Sequence, residues 1–337
     1  MKVAGRFGDD LAPLMIQQHY RNGRWGESEI VPAEALSMAP QMRGLHYGQA
    51  VFEGQKAHRS SRGEVRLFRC RDHLERLNFS ARRLAIPEID VDALMRKVET
   101  LVSEVVELCP EAPGSLYVRP IIFADELGLL AEPADSYTLL VLISPVGAYL
   151  NRDRLVRVRT ELDAARAHPG GTGDVKYSGN YAAVFVPKMK ARSEGFDEIL
   201  WLGGEGRRFV EETSSMNVMI VKDGALTTPV AGGTILKGIT RDSLMKLALG
   251  LGIEVREEAT SIEDDWSGVS EIFTSGTAVG VLPIGEVVHR GESIFRSSTV
   301  GPICRQLAAA YSSAVTGDGA GEQNWLSHDL RDKKGQS

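Results

Sequence analysis

The spacing of apolar residues changes from strand-like to helical along the first half of the chain. Between Ile16 and Ala57 polar and apolar residues alternate among glycines, and a shorter run follows at Val65–Phe68. This spacing of two predicts strands. The apolar positions from Asp72 to Pro87 recur every three or four residues, which predicts a helix capped by Asp72 and ended by the proline. A second helix is predicted over 91–108.

The residue pattern predicts strands again after these two helices. This strand pattern is interrupted once, at the start of the second half of the chain. Further strands are predicted at Ser115–Phe123 and Tyr137–Ser144, and a new one begins at Leu155 after a break at Pro145–Gly147. The second half is predicted to combine helices with strands, at Tyr181–Glu194 and Thr240–Leu251 for the helices and at Glu198–Leu202, Met216–Val221 and Glu271–Thr274 for the strands.

This pattern predicts a two-domain protein of the α/β (α+β) class. We expect a smaller N-terminal domain over 1–145, an interdomain loop over 146–154, a larger C-terminal domain over 155–316 and a polar tail over 317–337. Because the tail has few apolar residues, we expect it to be loosely held.

Composition narrows the possible partners. The 337 residues carry a net charge of −6 and contain no block of lysine or arginine, so nucleic acid is not an expected partner. No apolar run approaches the roughly 20 residues that span a bilayer, and Met1–Asp10 has no apolar signal core, so we expect no membrane contact and a cytoplasmic location. Three widely spaced cysteines predict neither a disulfide framework nor a metal cluster bound by thiolates.

One lysine, Lys176, stands within the glycine-rich polar segment Gly170–Tyr181. A loop lysine is ordinarily solvated, and only the motifs elsewhere in the chain suggest a chemical role. The segment Gly238–Asp242 opens an apolar-periodic helix, whose backbone N–H groups and Thr240 hydroxyl suit an anion. On the strand around residue 118, Tyr117 and Arg119 project to one face and together reach a carboxylate.

Further motifs are Leu45–Gly54, Val210–Asn217 with two adjacent carboxylates, and Ser275–Ala278 after a β-branched run. With the lysine segment, they resemble the branched-chain amino acid aminotransferases, which are pyridoxal 5′-phosphate enzymes of fold type IV, and the resemblance covers nearly the whole chain. It implies two α/β domains with the cofactor at their interface and a mixed sheet or barrel core in the larger one. It also implies a homodimer whose active sites are completed across subunits, with no metal.

The resemblance assigns roles around the cofactor. Lys176 is expected to bind the cofactor covalently and to move the substrate's α-proton, and Glu212 to pair with the pyridine nitrogen while Glu211 stays solvated. The other expected cofactor-binding residues are Arg76, Tyr181, Ile239, Thr240 and Thr277.

The resemblance likewise assigns the substrate pocket. Tyr117 is expected to hold the α-carboxylate and Arg119 the distal carboxylate of glutamate. The other expected substrate-binding residues are Tyr47, Phe52, Tyr149, Ser215, Thr277 and Ala278. Ser214 and Ser215 stand where the commonest branched-chain pattern has glycine and threonine, and they resemble the equivalent turn of D-amino acid aminotransferases.

The resemblance therefore implies transamination between L-glutamate and the 2-oxo acids of leucine, isoleucine or valine. Three alternatives stay open at this point. They are a D-amino acid aminotransferase or lyase of the same fold, a specialised biosynthetic aminotransferase for a bulkier or aromatic 2-oxo acid, and a cofactor-binding relative without turnover.

Overall fold

Two compact units, each built on its own sheet, make up the protein in a computed structural model that describes residues 6–147, 154–319 and 324–332. The first unit comprises Met1–Tyr149, Val175–Gly179 and Ser313–Ser337, and the second comprises Leu150–Asp174 and Asn180–Ser312. Most of the predicted interdomain loop lies outside the described residues, and the domain limits given above stay predictions.

An eight-stranded antiparallel sheet forms the first unit. Its strands are β1 Leu14–Arg21, β2 Arg24–Trp25, β3 Glu29–Pro32, β4 Ala50–Phe52, β5 Gln55–Arg59, β6 Val65–Leu67, β7 Ser115–Ala124 and β8 Tyr137–Val146. The order is β2-β1-β8-β7-β5-β6, with β3 on β1 and β4 on β7. The long strands β7 and β8 are central because their alternating apolar residues fill the core. The predicted strands at 65–68, 115–123 and 137–144 are confirmed.

Helices α1 Arg43–Tyr47, α2 Cys70–Arg83 and α3 Val91–Glu104 belong to this unit. The two predicted helices are α2 and α3, and a 3₁₀ turn, Val106–Leu108, continues the second. Asp90 caps α3 by accepting the Ala93 N–H at 2.9 Å. The prediction that Asp72 caps α2 is wrong: Arg69 occupies the N-cap, and Asp72 lies in the first turn, where it pairs with the Arg69 side chain.

The second unit is a nine-stranded mixed sheet that closes on itself. Its strands are β9 Val156–Glu161, β10 Glu198–Gly203, β11 Phe209–Thr213, β12 Asn217–Lys222, β13 Ala225–Thr228, β14 Val255–Glu257, β15 Val269–Gly276, β16 Gly280–His289 and β17 Glu292–Arg296. The order β11-β10-β9-β16-β15-β12 becomes a ring because β11 also pairs with β12, through Glu212 and Asn217. The result is a six-stranded barrel around an apolar interior.

The remaining helices are α4 Gly179–Ala182, α5 Phe185–Ser193, α6 Ile239–Gly250 and α7 Pro302–Thr316. The predicted helix at 181–194 is thus interrupted, whereas the one at 240–251 is confirmed as α6. Glu271 of β15 holds the start of α7 by accepting the backbone N–H groups of Ile303 and Cys304 at 3.0 and 2.7 Å. Within the described part of the chain, no helix is long and apolar enough to cross a membrane.

Residues 324–332 are packed onto the first unit, and the expectation of a loosely held tail is wrong for this segment. Trp325 and Leu330 are buried, and the backbone of 327–330 bonds to β6 at Leu67 and Val65. Two apolar side chains and an exposed sheet edge are sufficient to order a segment that is otherwise polar.

Candidate functional site

In the first unit, the lysine segment extends the sheet beside β4. Phe52 donates its N–H to the Lys176 carbonyl, and Ser178 donates to the Ala50 carbonyl, both at 3.1 Å. The Lys176 N–H in turn donates to the Ser80 hydroxyl of α2 at 2.9 Å. These bonds fix the backbone on both sides of the amine, so Lys176 projects from a strand-like segment instead of a mobile loop.

The amine of Lys176 lies over an aromatic ring. Its Nζ is 4.8 Å from the centre of the Phe52 ring, and the Arg119 guanidinium carbon is 4.6 Å from the same centre. Phe52 thus brings together the predicted reactive amine and a predicted substrate-binding cation.

Tyr117 and Arg119 lie on one face of β7, as predicted. Arg119 Nη2 donates to the Tyr117 hydroxyl at 2.8 Å, while its buried Nε has no hydrogen-bond partner among the described residues. Gly54 leaves the space for this hydroxyl, because a Cβ atom there would lie 2.0 Å from it. The pair can therefore present one hydroxyl and one cation to a carboxylate.

Tyr47 ends α1, which Gly48 terminates in the left-handed conformation (φ 66°). The Tyr47 hydroxyl donates to the Leu129 carbonyl, and the ring is partly exposed. The other aromatic residue expected near it, Tyr149, lies outside the described residues.

Arg76 of α2 forms a buried ionic cluster with Glu53 and His73. Its Nε and Nη2 donate to the two oxygens of Glu53 at 2.7 and 2.9 Å, and His73 Nδ1 donates to Glu53 Oε2 at 2.9 Å. Burial alone would raise the pKa of Glu53, but the charge and hydrogen bonds of Arg76 and His73 hold it well below its usual value. Burial lowers the pKa of His73, so the histidine is neutral.

In the second unit, the acid predicted for the pyridine nitrogen lies at the barrel closure. Glu212 Oε2 accepts from the Asn217 amide at 3.2 Å and from the Leu236 N–H at 3.3 Å. Arg166 Nη1 lies 3.0 Å from Glu212 Oε1, and both side chains are buried. A buried carboxylate with a paired arginine keeps its negative charge, as a partner for a protonated ring nitrogen must.

The neighbouring carboxylate, Glu211, is buried, and the prediction that it is solvated is wrong. Glu211 accepts a hydrogen bond from the Thr234 hydroxyl and packs against Gly203, where a Cβ atom would lie 2.0 Å from Oε1. Alternation along β11 sends the two glutamates to opposite faces, and both faces are covered.

Ser214 and Ser215 form the turn between β11 and β12. Ser214 is buried and donates to Glu198 Oε1 at 2.6 Å, whereas Ser215 is exposed. The first serine is thus committed to a structural contact, and only the second is available to a substrate from this turn.

The start of α6 is where the sequence predicts an anion site. Thr240 is buried, with its hydroxyl 3.3 Å from the Tyr311 hydroxyl. Asn217 donates to the Leu236 carbonyl at 2.9 Å, and a Cβ atom on Gly238 would lie 1.9 Å from Asn217 Oδ1. Asn217 therefore links the acid Glu212 to the loop that leads into α6.

Strand pairing brings the remaining predicted residues of this unit close to the acid. Asn217 pairs with Glu212 on one side and with Ser275 on the other. Thr277 and Ala278 follow directly, in the turn between β15 and β16, and the buried Ser275 hydroxyl has no hydrogen-bond partner among the described residues. Tyr181 lies in the short helix α4 and is partly buried.

Together, the two units contain the groups that pyridoxal phosphate requires. The first supplies an amine and a partly buried arginine, at Lys176 and Arg76, and the second supplies a helix start and a paired acid, at Thr240 and Glu212. The hydroxyl of Ser275, which pairs with Asn217 on the side away from the acid, has no hydrogen-bond partner among the described residues and is consistent with a polar ligand at that edge. The residues therefore fit this cofactor.

Sequence reasoning missed several residues that hold these groups. Glu53 and His73 are 20 residues apart, and Arg166 is 46 residues from Glu212, so no local periodicity relates these partners. Asn217 is only five residues from Glu212, but its contact with the acid forms across the pairing of β11 with β12. A usable signal existed only at Glu53, which is a charged residue in the otherwise apolar run Ala50–Phe52 and Gly54.

Comparison with known proteins gives consistent matches over most of the chain. Residues 50–287 match the family model for amino-transferase class IV. Branched-chain-amino-acid transaminase 1 of Bacillus subtilis is 36% identical over 329 residues, which cover 95% of this chain and 92% of the relative.

Solved structures match over similar lengths. Escherichia coli branched-chain amino acid aminotransferase is 30% identical with a TM-score of 0.78, covering 92% of this chain and 98% of that one. The Thermobaculum terrenum branched-chain amino acid aminotransferase, solved in its PLP (holo) form, is 26% identical with a TM-score of 0.76, covering 93% and 97%.

The buried state of His73 predicts a pH dependence of stability. Since its pKa is lower in the folded than in the unfolded chain, the unfolded chain binds the proton first, and stability is lost as pH falls below about 6.5. When the pH falls from about 7 to about 5, the free energy of unfolding should therefore decrease less in His73→Gln than in the wild type. This pH range lies above the one in which carboxylates titrate. Urea unfolding at several pH values measures this slope. The exposed His46→Gln is the control, and an unchanged slope in His73→Gln would contradict the assignment.

Proposed function

This chain belongs to the branched-chain amino acid aminotransferase family of the class IV aminotransferases, and on that basis we propose that it transfers amino groups between L-glutamate and branched-chain 2-oxo acids. The predicted family, fold type and cofactor are confirmed by the matches to these relatives. The observation that carries the proposal is the amine of Lys176, held beside Phe52 by backbone bonds in the unit that also contains Arg76 and Arg119.

We infer that pyridoxal phosphate is held by the residues expected from the sequence. Arg76 and the start of α6, with Ile239 and Thr240, offer positive groups to its phosphate. Thr277 adds a hydroxyl, and Glu212 faces the pyridine nitrogen. When bound, the cofactor supplies an electron-withdrawing ring that makes the substrate's α-proton acidic.

The chain's own groups then account for binding and proton transfer. Lys176 Nζ would accept the substrate's α-proton and carry it during the transfer, so the amine must be unprotonated and held within reach of that proton. The ion pair with Arg166 favours the charged form of Glu212. Tyr117 holds the α-carboxylate and thereby sets which face of the α-carbon meets Lys176.

Arg119 lets one pocket accept two kinds of side chain. It is stacked on Phe52 and bonded to Tyr117, and within the described residues no acidic side chain forms an ion pair with it. A glutamate side chain pairs with this cation, whereas a leucine side chain packs on the aromatic rings beside it.

The alternative substrates receive no support from the comparisons, in which the relatives described above are all branched-chain enzymes by name. The resemblance of Ser214 to D-amino acid aminotransferases also loses weight, because that serine is bonded to Glu198. Activity toward D-alanine without activity toward L-leucine would reverse this conclusion.

We further propose a homodimer in the cytoplasm. An exposed apolar segment, here called the 127–130 patch, consists of Leu127, Leu129 and Leu130, with Tyr47 bonded to the Leu129 carbonyl. Exposed leucines close together often mark a contact with another protein, and a second copy would cover them close to Tyr47. The proposed cytoplasmic location is supported by the cysteines, because all three are free and buried. Burial raises the pKa of the Cys70 and Cys304 thiols to about 12.

The visible absorption of bound cofactor tests the proposed reaction directly. In the wild type, L-glutamate should bleach the band and the 2-oxo acid of leucine should restore it. Lys176→Ala should lose the lysine-bound band and slow turnover by at least roughly a thousandfold, because it removes both the covalent anchor and the proton carrier. Lys190→Ala, at an exposed ion pair with Asp163, is the matched control. Wild-type turnover by Lys176→Ala would disprove the mechanism.

The role of Arg119 predicts a split between substrates. Arg119→Gln should raise KM for L-glutamate by about tenfold to a hundredfold, since a charge-assisted pair is lost, and should change KM for L-leucine by no more than about threefold. Steady-state kinetics with both donors measures the split, with Arg66→Gln of the same unit as control. Equal losses for both donors would show that Arg119 supports the pocket in general and does not select the distal carboxylate.

The 127–130 patch gives a test of assembly. A variant with Leu129→Asp and Leu130→Asp should sediment as a monomer, because two charges would be buried in an apolar contact. Leu249→Asp, at an equally exposed leucine of α6, should leave the dimer intact. A wild type that sediments as a monomer would exclude the proposed assembly.

A further inference from the structure

The buried cluster of Glu53, His73 and Arg76 contains more polar groups than holding a helix against a sheet requires. Glu53 has no exposed surface, yet its Oε2 accepts three hydrogen bonds, from Arg76, from His73 and from the Gly54 N–H at 3.1 Å. Burying a carboxylate is costly unless it is paired, so Glu53 depends on Arg76 and His73 to stay charged. Neither charge is a catalytic acid or base in the proposed reaction.

The geometry of the pair fixes the plane of the guanidinium. Glu53 receives both Nε and Nη2 of Arg76, at 2.7 and 2.9 Å, which is a two-point contact along one edge of the planar group. Two parallel bonds leave no rotation about the long axis of the side chain, so the opposite edge, which carries Nη1, has a fixed direction. The side chain of Arg76 remains about 10% exposed, so it reaches the surface of this unit.

His73 fixes the carboxylate in the same way from the next turn of α2. Residues 73 and 76 are three apart on one helix, so both side chains lie on the face that meets Glu53. Because a carboxylate only accepts, His73 must carry its proton on Nδ1, and its neutrality leaves the negative charge of Glu53 to Arg76 alone.

We propose that Glu53, oriented by His73, is a positioning residue that aims Arg76 at the cofactor phosphate. The inference rests on the proposed function, since it requires that the ligand of Arg76 is a phosphate. In this proposal Glu53 affects how tightly the phosphate of the cofactor is bound. It has no effect on the binding of the pyridine ring or on the amine of Lys176.

Comparing two ligands tests this assignment. The dissociation constants of pyridoxal 5′-phosphate and of pyridoxal, which lacks the phosphate, are measured on the cofactor-free protein by quenching of tryptophan fluorescence. In Glu53→Gln an amide N–H faces donors, so Arg76 loses its two-point contact. The preference for the phosphorylated ligand should fall about tenfold, while the affinity for pyridoxal changes less than about twofold. Glu64→Gln, which breaks exposed pairs with Arg62 and Arg66 in the same unit, should leave both constants unchanged.

Other results would overturn the proposal. Equal weakening of both ligands means that Glu53 only maintains the shape of the site, and an unchanged preference in a folded Glu53→Gln means that Arg76 does not depend on it. Should Glu53→Gln fail to fold, Glu53→Asp carries the test: the charge is kept on a side chain one methylene shorter, and the preference should still fall. A wild type that binds pyridoxal as tightly as its phosphate would instead remove the proposed function itself.

Discussion

The pairing of residues 176–178 with β4 is the constraint on which the first unit's chemistry depends. Two backbone hydrogen bonds and the contact of Lys176 N–H with Ser80 fix this segment. Each such bond contributes only about 1 kcal/mol net, but together they remove the freedom of a glycine-rich loop. Phe52 ends β4 and Glu53 follows it directly, so one short segment holds the amine segment, the aromatic ring beside it and the partner of Arg76.

The second unit depends on a comparable constraint at the closure of its barrel. The single pairing of Glu212 with Asn217 completes the ring of strands, and the same two residues form the polar link to the start of α6. Closing the barrel therefore also orients the acid. Arg166 supplies the opposite charge from outside the ring of strands, and without it the carboxylate would be a buried and unpaired ion.

Both units handle charge in the same way. Glu53 and Glu212 are buried carboxylates, each paired with an arginine and with at least one additional donor. Full pairing offsets the cost of burial and also removes rotational freedom from each side chain. The rigidity that this gives is what a transaminase site needs, because its groups must hold a flat ring and a carboxylate at fixed angles.

The sequence by itself determined the helices and strands with strong periodicity, such as α2, α3, β7 and β8, because their spacing depends only on residues within a few positions. It also determined the family, because Lys176 and the motifs around it are continuous segments. Only the tertiary structure decided the burial of Glu211, the N-cap of α2, the packing of 324–332 and the partners Glu53, His73 and Arg166. Each of these depends on contacts between distant residues, and the burial of a polar side chain is decided by which strand or helix covers it, which no local pattern records.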